Sequence, residues 1–255
     1  MICKLCHAPV EKLVKSHIIP EFLYKGMHDE KHRLAGLSLN PQIGDAVIQS
    51  GLWERLLCGH CDNVVLGARE THVSQLLEHG LESQSAIDGN DLRLRKLDYT
   101  QIRLFYLSLL WRMSMSSLQF FSEVALGPHQ EPIRKMIIEA NPGEPDEYGV
   151  LCIAPVFESE HLGVWTIRPD SVKQFGRTIY RCLIGGLLYC FFVGKGKVPL
   201  TISDRFIQKD GSWVILRKRI EEIKYLNDYC VNLGISINHR EFKTVGLTAK
   251  KRATP

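Results

Sequence analysis

In the downstream part of the chain, the hydrophobic pattern predicts helices that come before and after the strands of a β-sheet in sequence. Between residues 102 and 113, apolar side chains recur every three or four positions, which is typical of a helix with one buried stripe. The stripe consists of Ile102, Phe105, Tyr106, Leu109, Leu110 and Met113. Residues 128–141 predict a shorter helix, and residues 217–234 predict a late one. Apolar strings separated by turn residues predict an antiparallel sheet, at 149–157, 163–169, 177–186 and 187–194.

Two short extended segments are predicted nearer the start of the chain. The sequence KLVKSHIIP, residues 12–20, favours a strand that ends at Pro20, because proline cannot continue a hydrogen-bonded ladder. The sequence GLWERLLC, residues 51–58, is a second extended apolar segment. His17 therefore lies near the end of the first predicted strand.

A helix is predicted to follow the second extended segment. Residues 62–80 show apolar positions at helical spacing and end in a glycine. Asp62 falls at the helix start, where exposed backbone amides favour a carboxylate. With the spacing of a regular α-helix, Asp62, Leu66 and Glu70 share one face.

Composition indicates a folded protein, and the order of the predicted elements indicates the α+β class in two parts. The chain has 255 residues, of which 45% are hydrophobic, enough for a substantial core. Residues 79–91 lose the periodic pattern and gain Gly, Ser and Asp, which indicates a junction. We therefore expect a module at 1–85 and a larger α+β unit with an antiparallel sheet at 92–255.

The sequence favours a cytoplasmic protein without a membrane span. The longest apolar stretch, residues 182–194, has thirteen residues including three glycines, whereas a spanning helix needs about 20 residues. Met1 leads directly into a cysteine pair without the basic and apolar segments of an export signal. The eight cysteines are therefore more typical of metal binding than of disulfides.

Two Cys-x-x-Cys pairs, CKLC at 3–6 and CGHC at 58–61, predict a structural zinc site. A two-residue spacer lets both sulfurs of a pair reach one ion, and four thiolates complete a tetrahedron. The predicted ligands are Cys3, Cys6, Cys58 and Cys61. The alternatives are a redox pair or four buried thiols.

The positive charge of the chain lies downstream. Lys+Arg against Asp+Glu is 8 against 10 for residues 1–85 and 24 against 18 for residues 86–255, so the two parts carry −2 and +6. Basic clusters can neutralise phosphates, although surface charge is often only solvated. The cluster predicted to contact nucleic acid is Arg217, Lys218 and Arg219.

The first 75 residues resemble the HNH endonuclease superfamily, the ββα-metal or treble-clef nucleases. The resemblance rests on CKLC, then SHIIP at 16–20, then LLCGHCD at 56–62. With SLLWR at 108–112, the same motifs also resemble a group of poorly characterised bacterial proteins. The resemblance implies that His17 is the general base, and that Ser16 and Asp62 occupy the positions that bind a catalytic Mg²⁺ or Mn²⁺. Glu70 is a further candidate ligand.

The resemblance thus implies a divalent-metal-dependent HNH-type endonuclease that hydrolyses phosphodiester bonds, with DNA as the favoured substrate. The larger unit would bind substrate or a protein partner. Ser16 departs from the family pattern, which commonly has Asp or His there, and a neutral hydroxyl is a poor ligand for a hard cation. The alternative is therefore a non-catalytic, zinc-scaffolded module that binds nucleic acid or protein.

Overall fold

The computed structural model describes residues 1–24, 33–36, 46–49, 51–80, 85–88, 91–157, 160–161 and 166–232. Its strands are β1 (Ser16–His17), β2 (Arg33–Gly36), β3 (Ala46–Gln49), β4 (Trp53–Glu54), β5 (Ser85–Asp88), β6 (Asp91–Leu94), β7 (Val150–Phe157), β8 (Glu160–His161), β9 (Ile167–Gln174), β10 (Arg177–Ile184), β11 (Leu187–Val193) and β12 (Trp213–Arg219). Its helices are α1 (Gly67–Gln75), α2 (Tyr99–Met115), α3 (Gln130–Ile138), α4 (Leu200–Ser203) and α5 (Lys224–Asn232), with π-helical segments at Cys61–Leu66 and Leu76–Gly80 on either side of α1. The architecture is mixed α+β, as predicted.

The larger sheet has the strand order β5-β6-β12-β7-β11-β10-β9, with β8 also paired to β7. The predicted antiparallel pairing is confirmed for β7, β9, β10 and β11. The sheet is nevertheless mixed, because β12 runs parallel to β7. Parallel neighbours need a long crossover, and the chain between β7 and β12 provides one.

The late helix was predicted to begin too early. Residues 217–219 belong to β12, where Arg217, Lys218 and Arg219 pair with residues of β7. Strand β12 begins with the buried residues Trp213, Val214 and Ile215, so the ladder continues into the basic residues and overrides their helix propensity. The helix starts only at Lys224.

Helix α2 is buried on all sides rather than along one stripe. Every residue from Ile102 to Met113 is buried, including the polar residues Arg103, Ser108 and Arg112. A helix that is enclosed on all faces lies at the centre of a core. Asp98 caps its start, since the carboxylate accepts from the backbone N–H of Gln101 at 3.0 Å. No helix of the described residues combines the length and the apolarity that crossing a bilayer requires.

The first part of the chain packs directly onto this central helix. Residues from the cysteine pairs, from α1 and from α2 belong to one continuous hydrophobic cluster. Arg134 of α3 also donates to the backbone carbonyl of Leu5, between the first two cysteines. The division into parts at 1–85 and 92–255 stays a prediction, and the two parts share a core.

Candidate metal centre and adjoining strand pair

The four cysteines of the two pairs converge on one point. The sulfurs of Cys3, Cys6, Cys58 and Cys61 all lie within 4.8 Å of one another. The sulfurs of Cys6 and Cys58 are 3.9 Å apart. Tetrahedral zinc with Zn–S bonds of 2.3 Å requires sulfurs about 3.8 Å apart, so the donor set and its spacing fit a structural zinc ion.

Backbone amides support negative charge on the sulfurs. The N–H of Cys58 donates to Cys3 Sγ at 3.3 Å, and the N–H of Cys61 donates to Cys58 Sγ at 3.5 Å. Burial opposes ionisation of Cys3, but hydrogen bonds from backbone amides outweigh it and lower the pKa of this thiol to about 7. Burial and the neighbouring sulfurs instead raise the pKa of Cys61. Four thiolates at this spacing repel one another, and a bound cation removes that repulsion.

The alternative of a disulfide does not match this geometry. A disulfide needs sulfurs about 2.05 Å apart, whereas Cys6 and Cys58 are 3.9 Å apart and all four residues are free thiols. Cys152, Cys182 and Cys190 are also free and are buried in the sheet. These three pack as core residues.

The antiparallel pair β1–β4 separates its side chains onto two faces. His17 lies directly opposite Trp53, and Ser16 lies opposite Glu54. Lys15 is exposed and His17 is half-buried, whereas Ser16 between them is buried, which is the alternation expected of a strand. Ser16 and Glu54 therefore point inward.

The other face of the pair is cationic and aromatic. We call it the ladder face and define it by Lys15, His17, Trp53 and Arg55. The ammonium of Lys15 lies 4.5 Å from the ring centroid of Trp53, a cation–π contact. Arg55 is exposed and donates to the carbonyl of Leu13 at 3.0 Å, which brings its guanidinium across to the first strand. No ion pair joins Lys15 or Arg55 to a carboxylate of the described residues.

Ser16 is withdrawn from the face that carries His17. Its side chain is 0% exposed and points toward the core beside Glu54. The Glu54 carboxylate accepts hydrogen bonds from the hydroxyls and one backbone amide of Ser116 and Ser117, just after α2. The inner face of the strand pair thus serves to attach it to the central helix.

Glu70 is engaged by a buried arginine. The Nη1 of Arg112 lies 2.7 Å from Glu70 Oε1 and also donates to the backbone carbonyl of His17 at 2.7 Å. Arg112 is the last residue of the SLLWR motif on α2, and its side chain is 1% exposed. One guanidinium therefore links β1, α1 and α2.

Asp62 lies half-buried in the first turn after the last cysteine, as predicted. Its carbonyl accepts from the N–H of Gly67, the i to i+5 bond of a π-helix. This wider turn changes the angular spacing, so the predicted common face with Glu70 does not follow. Among the described residues, the cysteine cluster is the one group of three or more His, Cys, Asp or Glu side chains that could hold a metal ion, and His17, Asp62 and Glu70 do not form a second.

The predicted basic cluster at the end of β12 has acidic neighbours. Lys218 Nζ lies 3.8 Å from Glu222, and Arg219 Nε lies 3.3 Å from Glu221. The backbone amide of Arg219 also donates to Glu222 at 2.8 Å. These carboxylates reduce the field that the cluster presents to a polyanion.

Part of the downstream positive charge is used inside the protein. Among the described residues, four downstream arginines are buried and donate mainly to backbone carbonyls: Arg103, Arg112, Arg168 and Arg177. Arg103, for example, donates to the carbonyls of Tyr148 and Glu144 and thereby holds the loop before β7. The formal net charge of +6 for residues 86–255 therefore includes arginines that do not lie on the surface.

Of the ladder face, the sequence singled out only His17 as functional, and it did not single out Arg112. A signal was present for the first strand, since Lys15 and His17 alternate with the buried residues Ser16 and Ile18. Their pairing depends on a register that brings together segments separated by more than thirty residues, and no short-range pattern encodes it.

In comparisons with known proteins, no family model, no curated protein and no solved structure matches the chain.

Proposed function

We propose that the chain is a zinc-scaffolded nucleic-acid-binding protein that engages the polyanion through the ladder face. The observation that carries the proposal is that the exposed Lys15 and Arg55 share one side of β1–β4 with the half-buried Trp53, and that Lys15 lies over the indole. Lysine and arginine neutralise phosphates, and an aromatic ring between them offers a surface for a base.

The cysteine cluster supports this role as a scaffold. Strand β4 leads directly into the second cysteine pair, and the backbone amide of Lys4, inside the first pair, donates to the carbonyl of Leu56 at 3.0 Å. When bound, zinc would join both pairs and so fix the path of the chain leading out of β4. The strand pair has only two residues in each strand, so it depends on such neighbours for its shape.

The HNH-type endonuclease is the second candidate. It is favoured by the position of the half-buried His17 at the centre of the ladder face, in a strand pair followed by a helix that starts at Cys61. It is disfavoured by the full burial of Ser16 and by the ion pair of Glu70 with Arg112. Of the three proposed ligands, Ser16 is buried and the partly exposed Glu70 is paired with Arg112, which leaves Asp62 as the carboxylate available to a hard cation.

Two measurements on the purified protein separate these candidates. Fluorescence anisotropy with labelled DNA and RNA reports binding, and plasmid incubation with Mg²⁺ or Mn²⁺ reports nicking. We expect salt-sensitive binding without nicking. Absence of binding to every nucleic acid would overturn the proposal, and nicking that His17→Ala abolishes would replace it with the endonuclease.

A further inference from the structure

Trp53 is the aromatic residue of the ladder face beside His17. It lies directly opposite His17 in the β1–β4 register, with Lys15 over its ring and Arg55 two residues further along the same strand. Trp53 is half-buried, whereas Trp111 and Trp213 are buried in the core. Its indole is therefore held by the scaffold and still reaches the surface.

We propose that the ligand of this face is single-stranded nucleic acid, with one unpaired base stacked on Trp53 and the adjoining phosphates held by Lys15 and Arg55. This inference rests on the proposed function and specifies its substrate class. Successive bases of a duplex cover one another's faces, so an indole can reach a base face only where the strand is unpaired.

The contact between Lys15 and Trp53 does not prevent stacking. An exposed cation–π contact is weaker than the stacking of a base on an aromatic ring. Lysine has a long, flexible stem, so its ammonium can leave the ring and remain within reach of a phosphate beside the stacked base. Trp53 can therefore stack on a base while Lys15 binds the phosphate beside that base.

The dimensions of the face also favour a short unpaired segment. Each strand of the pair contributes two residues, so the ladder spans only about 7 Å along its strands. Helix entry into a duplex groove would require a projecting helix with basic residues, whereas the helical segment that follows the second cysteine pair carries Asp62 and Glu70, and its Arg69 is buried. A few nucleotides of single strand match the available area.

The test compares wild-type affinity for three ligands of equal length: an oligothymidine, the same chain with abasic sites, and a duplex. The abasic chain keeps the phosphates and lacks the bases, so it isolates stacking without altering the protein. We expect about 10-fold weaker binding of the abasic chain, which corresponds to the loss of one stacked base. Trp53→Leu should lose the preference for the base-bearing chain, and Trp53→Phe should keep most of it.

The outcomes distinguish this inference from the proposed function. Equal affinity for the oligothymidine and the abasic chain would overturn single-strand stacking and leave phosphate binding intact. Tighter binding of the duplex would also overturn it. No binding of any of the three would overturn the proposed function itself. Lys218→Gln is the matched control, since this lysine lies near Glu222 on β12, and it should preserve the ligand preference.

Discussion

Arg112 and Glu70 form an ion pair of 2.7 Å although the arginine is almost completely buried. The same Nη1 donates to the carbonyl of His17, so the pair fixes the strand that carries the ladder face. A buried charge is costly unless it is paired and hydrogen-bonded; here Glu70 supplies the opposite charge and the carbonyl of His17 accepts one hydrogen bond, while Arg112 Nη2 has no hydrogen-bond partner among the described residues. The role of the SLLWR motif is therefore structural attachment of the N-terminal part to α2.

Removing the arginine should destabilise the whole protein. For Arg112→Met we expect a loss of about 3 kcal/mol in the free energy of unfolding, because the His17 carbonyl and the partly buried Glu70 lose their donor. Urea denaturation measures this loss. Glu70→Gln is the paired variant, and a double-mutant cycle should give a coupling energy above about 0.5 kcal/mol. Additive effects would show that the pair contributes nothing to stability.

The metal prediction concerns stoichiometry and folding. Purified protein should contain one zinc per chain, and Cys58→Ser should lose it, since structural zinc contributes on the order of 10 kcal/mol to metal-dependent folds. Elemental analysis and thermal unfolding check both points. Cys182→Ser is the control, because this buried cysteine is remote from the cluster and should retain zinc. A zinc-free wild type with a cooperative unfolding transition would contradict the prediction.

His17 should tolerate replacement of its side chain. The interaction with Arg112 uses the backbone carbonyl of His17, which alanine retains. His17→Ala should therefore keep its zinc and lose less than about 1 kcal/mol of stability, as is usual for substitutions that leave buried contacts in place. Loss of zinc or of cooperative unfolding in this variant would assign the imidazole a structural role.

The charge on the ladder face should determine the salt dependence of binding. Lys15→Gln and Arg55→Gln should each reduce the slope of log K against log salt by about 0.7 on single strands, one phosphate contact each. For comparison, Arg217, Lys218 and Arg219 are neutralised together. Carboxylates lie near this cluster, so the triple variant should change the slope less. If the triple variant changed the slope more than Lys15→Gln or Arg55→Gln, the nucleic-acid interface would be assigned to β12.

Gly51 is required at the start of β4. Its φ is +80°, and a Cβ there would lie 2.5 Å from the Tyr24 hydroxyl and 3.7 Å from the His17 ring. Gly51→Ala should therefore cost about 2 kcal/mol through backbone strain and the contact with tyrosine. Adding Tyr24→Phe removes the closest atom and should recover part of the loss in chemical denaturation. No recovery would assign the full cost to the backbone.

Local signals in the sequence were sufficient for the cysteine cluster and most elements. The Cys-x-x-Cys spacing identified all four cluster residues, and the apolar strings identified β7, β9, β10 and β11. These features are determined by neighbours within a few residues. Residues 217–219 show the limit, because pairing with β7 decides their conformation over their own helix preference.

The expected cation site stays a prediction, and the packing of its residues shows a related limit. Its residues were assigned by order along the chain, yet Ser16 points inward and Glu70 meets an arginine more than forty residues away. The direction of a side chain on a two-residue strand is set by packing, and the buried partner of Glu70 lies on another element. Neither is visible in the spacing of SHIIP and the cysteine pairs.

The attachment of β1 to α2 also sets an order of events during synthesis. The carbonyl of His17 accepts from Arg112, which lies 95 residues later in the chain. The carbonyl of Leu5 accepts from Arg134, which lies 129 residues later. Both cysteine pairs are synthesised before either arginine, so a metal ion bound by the cysteines would be captured before this part docks onto the central helix. Contacts of such long sequence separation form slowly, and bound metal would order the newly made N-terminal segment until α2 and α3 are synthesised.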